Sequence, residues 1–271
     1  MIYSGLVSVT FRKFGPEKIV DLVTRAGLTG IEWGGDVHVP HGEVNRADEV
    51  GRMTREAGLR VAAYGSYYFL GYSESEGLSF DRVLETAVAL QAPTIRLWAG
   101  RKGTAEADEA DWNRVVDDAR RVADLAEQAG VRVCLECHGG TLTDNHIDAM
   151  RLYRRIGSEN LDLLWQPLHH HLYPTQLEAL RSTLGVMSNA HVYWWVQLPG
   201  REHPTRLPLA EGADVWSVFL SVMNNSPADR YALLEFVRDD DETQFFRDAD
   251  TLCGLIQKHA SPTLQQAPVT E

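Results

Sequence analysis

This chain is poor in several things, and each shortage excludes a class of protein. It has three cysteines, Cys134, Cys137 and Cys253, in 271 residues. An odd, small count in a chain this long argues against a disulfide framework and suits a reducing compartment. Cys134 and Cys137 have the spacing of a redox or zinc motif. They fall in an extended apolar run, though, where residues three apart point to opposite faces, and such motifs sit in turns or at helix starts. Positive charge is also scarce: 26 Lys and Arg stand against 38 Asp and Glu, a formal net charge of -12. With no basic run to relieve it, such a surface repels nucleic acid and anionic membranes. No apolar stretch approaches membrane-span length, and MIYSGLVSVTF lacks a basic lead and a long apolar core, so the expectation is a cytoplasmic protein.

What is present is a repeated punctuation. Arg25-Ala26-Gly27-Leu28, Glu56-Ala57-Gly58-Leu59 and Gln128-Ala129-Gly130-Val131 each precede an apolar, strand-like run. In each, a helix ends on Ala, Gly takes the left-handed cap, and a strand follows after a short link. Trp112, Val115, Val116, Ala119, Val122, Ala123 and Ala126 form one helical stripe; Phe245, Ala249, Leu252, Cys253 and Ile256 form another. Pro16 and Pro174 sit where a first helical turn would begin. Further helices fit 45–57, 80–91, 144–156 and 213–224. Strands fall near 3–9, 30–33, 60–64, 94–98, 132–136, 161–165, 190–196 and 231–236. Eight successive βα units in one chain predict a single (β/α)₈ TIM barrel over residues 1–260, with a polar, loose tail at 261–271. An open doubly wound sheet is the alternative, but no Gly-rich phosphate fingerprint follows the first strand.

Chemistry in such a barrel sits at the C-terminal ends of the strands. The second strand ends with Glu32 and Trp33, followed by a loop with Asp36, His38 and His41. The fourth offers Arg96 and Trp98, the fifth Glu136 and His138, and the sixth Gln166 and then His169 to His171. The seventh carries His191, Tyr193, Trp195 and Gln197 on one face, and the eighth carries Glu235. Glu136 alone is equally well read as a carboxylate paired with an Arg on a neighbouring strand. The His run could be a solvated loop, and the Trp residues could be ordinary packing. Together, two carboxylates, an amide oxygen and an imidazole suit Mn²⁺, Mg²⁺ or Co²⁺ better than a closed zinc site.

Here the chain resembles the xylose isomerase-like TIM-barrel family, which includes sugar isomerases and epimerases, inosose dehydratases and endonuclease IV. The resemblance rests on GIEWGGDVH (30–38), IRLWAG (95–100), LECHGGTLTD (135–144), LLWQP (163–167), AHVYWW (190–195) and LLEFV (233–237). It implies a divalent-metal-dependent sugar isomerase or epimerase. The implied metal ligands are Glu136, Gln166, His191 and Glu235, and the two Glu act as acid and base through an enediolate. It implies a substrate contact at His169 and another at Arg201 or Arg206 after the seventh strand. Trp33 and Trp98, clustered at strand ends as rings that can meet a sugar's C–H faces and hydroxyls, with His138 beside Glu136 and His38 in the loop after the second strand, are the other substrate contacts expected. The family usually has Asp where this chain has Gln166, which removes a negative charge from the metal site; Gln166→Asp is expected to tighten metal binding. A lyase on the same fold, either inosose dehydratase-like or C-glycoside-cleaving, is the alternative, and a non-catalytic sugar-binding barrel is the second. Endonuclease chemistry ranks last, because its multi-metal site needs more ligands and DNA would have to overcome the net charge. The partner expected is a small sugar, with no nucleic acid and no membrane; a homo-oligomer stays open.

Overall fold

The computed structural model describes residues 1–260 apart from Pro199 and Glu202; the expected tail at 261–271 lies outside the described residues. Eight parallel strands close into a barrel. They are β1 (Ile2–Val7), β2 (Gly30–Gly34), β3 (Arg60–Phe69), β4 (Thr94–Trp98), β5 (Arg132–Glu136), β6 (Leu161–Trp165), β7 (Met187–Val192) and, after a hairpin, β10 (Arg230–Leu234). Strand β1 pairs with both β2 and β10, which completes the ring. The helices are α1 (Pro16–Arg25), α2 (Val44–Glu56), α3 (Phe80–Leu90), α4 (Glu109–Gln128), α5 (His146–Ile156), α6 (Tyr173–Thr183), α7 (Ala213–Asn224) and α8 (Glu242–His259). No helix among the described residues is long and apolar enough to cross a membrane.

The Ala-Gly punctuation works as the sequence predicts. Gly27, Gly58 and Gly130 all take positive φ, at 67°, 76° and 71°. A Cβ at any of them would meet nothing within 4 Å, so the requirement there is conformational and not one of space. The α4 stripe from Trp112 to Ala126 is buried against the sheet, and each large apolar side chain so buried contributes roughly 1.5–3 kcal/mol. Asp108 and Asp111 close a capping box at its start; losing the Asp108 side chain would cost about 1 kcal/mol.

The strand expected at 60–64 runs on to Phe69, and the seventh departs further. The apolar run 190–196 is not a single strand. Strand β7 begins earlier and ends at Val192, while β8 (Trp194–Val196) leaves the barrel and pairs antiparallel with β9 (Thr205–Leu207). His191 is therefore the penultimate residue of its strand, at the depth of the other strand ends.

Candidate active site

The C-terminal mouth of the barrel opens into a cavity of about 460 Å³. Glu136, His138, Gln166, His169 and Glu235 line it, with Trp98 and Trp195 among its aromatic walls. Beneath it, His191 is fully buried. One ligand-type atom from each of Glu136, His191 and Glu235 lies within 4.8 Å of the others. His191 Nδ1 is 3.3 Å from Glu235 Oε2 and 3.7 Å from Glu136 Oε1. That nitrogen is buried and has no hydrogen-bond partner. An orphaned imidazole nitrogen aimed between two carboxylates is a donor set that fits a divalent cation.

The two carboxylates are held differently. Glu136 Oε2 accepts from Arg96 Nη1 and from Trp98 Nε1, while Oε1 accepts from Gln166 Nε2 at 3.0 Å. Burial works against its charge, but the Arg96 guanidinium, with His191 and His138 nearby, holds the carboxyl below its usual range. So the plain reading of Glu136, an ion pair with an Arg on the neighbouring strand, also describes the molecule. Glu235 has none of these donors and meets His191 alone among the described side chains. Burial disfavours a charged His191, yet Glu235 and Glu32 outweigh it and raise its pKa to about 10 in the metal-free protein.

The loop after β5 shapes the wall. Thr143 Oγ1 donates to the Glu136 carbonyl at 2.6 Å, and Thr141 Oγ1 donates to the His138 carbonyl at 2.8 Å. These bonds turn the chain sharply out of the strand and hold the His138 ring stacked on Trp98, 4.7 Å between centroids. His138 Nδ1 lies 2.7 Å from the Gly139 carbonyl oxygen. A carbonyl only accepts, so Nδ1 carries the hydrogen and the neutral ring keeps its lone pair on Nε2. Burial pushes His169 below the ordinary imidazole value, so it is mostly neutral at pH 7.

Several expected site residues stand elsewhere. Trp33 is fully buried away from the cavity, and its Nε1 donates to Thr54 Oγ1 on α2 at 3.1 Å. Alternation along β2 points Glu32 into the barrel and therefore Trp33 out of it. His38 is also buried, bonded to Ser8 Oγ at 3.0 Å and to the Phe14 carbonyl at 3.1 Å, so it braces a loop and does not line the cavity. Arg201 is exposed outside the cavity lining. Arg206 sits behind the wall, paired with Asp240 at 2.8 Å and 4.7 Å from the Phe236 ring. Gln166 reaches the site, but its amide nitrogen faces Glu136 and the Cys137 carbonyl, 2.8 Å away. Two acceptors fix the amide with its nitrogen inward, as a donor to a carboxylate and not as an oxygen ligand. Cys134 and Cys137 are free and buried, and burial pushes both thiols up to about 12.

The cavity also contains residues that the strand pattern does not reveal. Arg12, in the turn after β1, donates to Asp36 and to the Tyr67 hydroxyl, both at 2.7 Å. Tyr67 and Phe236 take left-handed backbone, φ 53° and 49°, which aims both rings at the cavity. No local sequence signal marks a non-glycine residue for that conformation.

A profile of the xylose isomerase-like TIM barrel family matches residues 20–254. A 3-dehydroshikimate dehydratase of Bacillus anthracis is 24% identical over 158 residues, a match that takes in 56% of each chain. Among solved structures, AsbF, a candidate 3-DHS dehydratase of Bacillus anthracis involved in petrobactin synthesis, superposes with a TM-score of 0.77 at 18% identity. That superposition covers 93% of this chain and 99% of the other. The IOLI protein, solved with a bound zinc atom, superposes with a TM-score of 0.75 at 16% identity over 96% of this chain and 99% of that one. At these identities the structural likeness speaks for the fold.

Proposed function

The chain belongs to the xylose isomerase-like TIM barrel family, and from that premise we propose that it is a divalent-metal-dependent lyase that removes water from a small polyhydroxylated ketone of the 3-dehydroshikimate kind. Glu136, Glu235 and His191 hold the metal, with Gln166 clamping Glu136. When bound, the cation supplies Lewis-acid stabilisation of negative charge that develops on a carbonyl oxygen.

The observation that carries this reading over epimerisation is the clamp on Glu136. A two-carboxylate epimerase needs both Glu136 and Glu235 to trade protons with the substrate. Three donors hold Glu136 as an anion, which makes it a good ligand and a poor base. The free base on the wall is His138, whose Nε2 lone pair is set by the Gly139 carbonyl. His138 takes the proton from the carbon beside the carbonyl, and the electron pair of that C–H bond becomes the new C=C bond. The hydroxyl on the next carbon leaves with its bonding pair. The proton now on His138 passes to it, releases water and restores the neutral ring. A correctly placed imidazole contributes on the order of 10²–10⁴ in rate. The match to a 3-dehydroshikimate dehydratase supports the same class of substrate.

The test is to strip the protein with chelator, reload it with Mn²⁺ and incubate it with 3-dehydroshikimate and, separately, with D-psicose. The expected result is a product lighter by one water from the first, formed only with metal. Epimer formation from the ketose with no water lost from the cyclic acid would overturn the lyase reading and restore epimerisation.

A further inference from the structure

Glu32 is the least expected group in the molecule. Its carboxylate is completely buried on β2, three strands around the ring from β7, which carries His191. Its oxygens meet two groups: Arg96 Nε at 2.6 Å and His191 Nε2 at 3.1 Å. Burial opposes its charge, and His191 and Arg96 still hold its pKa down to about 2. A buried ion pair is weak evidence for stability, because well-packed apolar residues of similar volume do as well or better. The fold nonetheless keeps a slot open for this one. A Cβ on Gly65 would come within 2.6 Å of Arg96 Nη2 and 2.9 Å of Glu32 Oε1. Gly65 has no unusual φ, so that glycine is required by space.

What the arrangement does is fix one ring. A carboxylate at Nε2 requires the hydrogen of a neutral imidazole to sit there. Once a cation displaces the second proton of the ring, the other nitrogen, Nδ1, offers its lone pair to the gap between Glu136 and Glu235, where it has no hydrogen-bond partner. Arg96 ties the two halves together, since Nε holds Glu32 and Nη1 holds Glu136. We propose that Glu32 is a positioning residue that fixes His191 with Nε2 protonated, so that His191 binds the metal through Nδ1, with Arg96 aligning the Glu32 and Glu136 carboxylates on either side.

The proposal rests on the metal-binding reading above, and its test separates the two. Glu32→Gln keeps the shape but turns an NH₂ group toward Arg96 or toward His191. Either choice breaks one of the two bonds, and the second forces the imidazole hydrogen onto Nδ1. The variant is expected to bind Mn²⁺ about 10- to 100-fold more weakly than the parent by calorimetry. Equal affinity in a folded variant would overturn the positioning role while leaving the metal site intact. Should the variant not fold, the parent alone decides: nitrogen-15 NMR of its Zn²⁺ complex should show His191 protonated at Nε2 and metal-bound at Nδ1. The reverse assignment would overturn the proposal, and a parent that binds neither cation would overturn both readings.

Discussion

The sharpest perturbation of this site is Gln166→Glu. It changes one NH₂ into one oxygen without changing length. In the parent, the Gln166 nitrogen lies 3.0 Å from Glu136 Oε1 and 2.8 Å from the Cys137 carbonyl oxygen. A carboxylate there would face two acceptors. With an effective dielectric of about 20, two unit charges at that separation repel by about 5 kcal/mol. The pair can instead take up a proton, and holding an ordinary glutamic acid protonated at pH 7 costs about 4 kcal/mol. The smaller figure sets the penalty, and it shrinks as pH falls toward the carboxylate range. At about 2–4 °C per kcal/mol for a chain of this size, the metal-free variant should melt about 8–16 °C below the parent. A cation beside both carboxylates reverses the sign of the interaction. Whatever the metal-free form loses and the metal-bound form keeps must then appear as affinity, up to about 10³-fold. Scanning calorimetry of chelator-treated and Mn²⁺-saturated samples, parent and variant, reads both quantities. A metal-free variant that melts with the parent, or a Mn²⁺-induced rise no larger than the parent's, would refute the reading of Gln166 as an inward-facing donor.

The two site glutamates should respond differently to amidation. Glu136→Gln strands Arg96, Trp98 and Gln166 without their anion and should lower stability by about 3–5 kcal/mol in urea unfolding; Glu235→Gln, which removes only the contact with His191, should lower it less while weakening Mn²⁺ binding, and equal destabilisation by both would contradict the asymmetry. Cys134 and Cys137, buried and with thiols pushed up to about 12, should escape maleimide at pH 8 in the native protein and react once it is unfolded; rapid native labelling of either would show that the strand opens. His38 and His41 have pKa values lowered chiefly by burial, so below about pH 6.5 the unfolded chain binds more protons than the folded one. Stability should therefore fall as pH drops through that value, and the slope should be smaller in His38→Asn; a melting temperature flat from pH 8 to 5 would contradict it.

The barrel was legible because its punctuation is local. Ala-Gly caps and helical stripes are set by neighbours a few residues away, and they located the helices to within a few residues. The seventh strand was misjudged because AHVYWWV is apolar on both sides of Val192, and hydropathy does not distinguish a barrel strand from a hairpin folded over its mouth. Trp33 is different, since the signal for it was available. The alternation that puts Arg96 and Trp98 on one face puts Glu32 and Trp33 on opposite faces, so a buried Glu32 at the floor already implies a Trp33 turned toward α2.

What no strand pattern carries is the direction of an amide or the need for an empty space. Gln166 is a ligand-type residue by its oxygen and a clamp by its nitrogen; the Cys137 carbonyl and the Glu136 carboxylate together decide which end faces inward. Gly65 reads in sequence as an ordinary strand glycine between Tyr64 and Ser66. Its function depends on Arg96, thirty-one positions later, crossing the point where a Cβ would stand. The ion pair it admits joins residues from β2, β4, β5 and β7 in one connected group. A fault at any member should therefore reach the ligand atoms. Gly65→Ala, which touches no proposed ligand, is expected to weaken Mn²⁺ binding by displacing Arg96 and with it both carboxylates. Unchanged affinity in a folded Gly65→Ala protein would mean that the group tolerates displacement, and that the ligands are held by the strands alone.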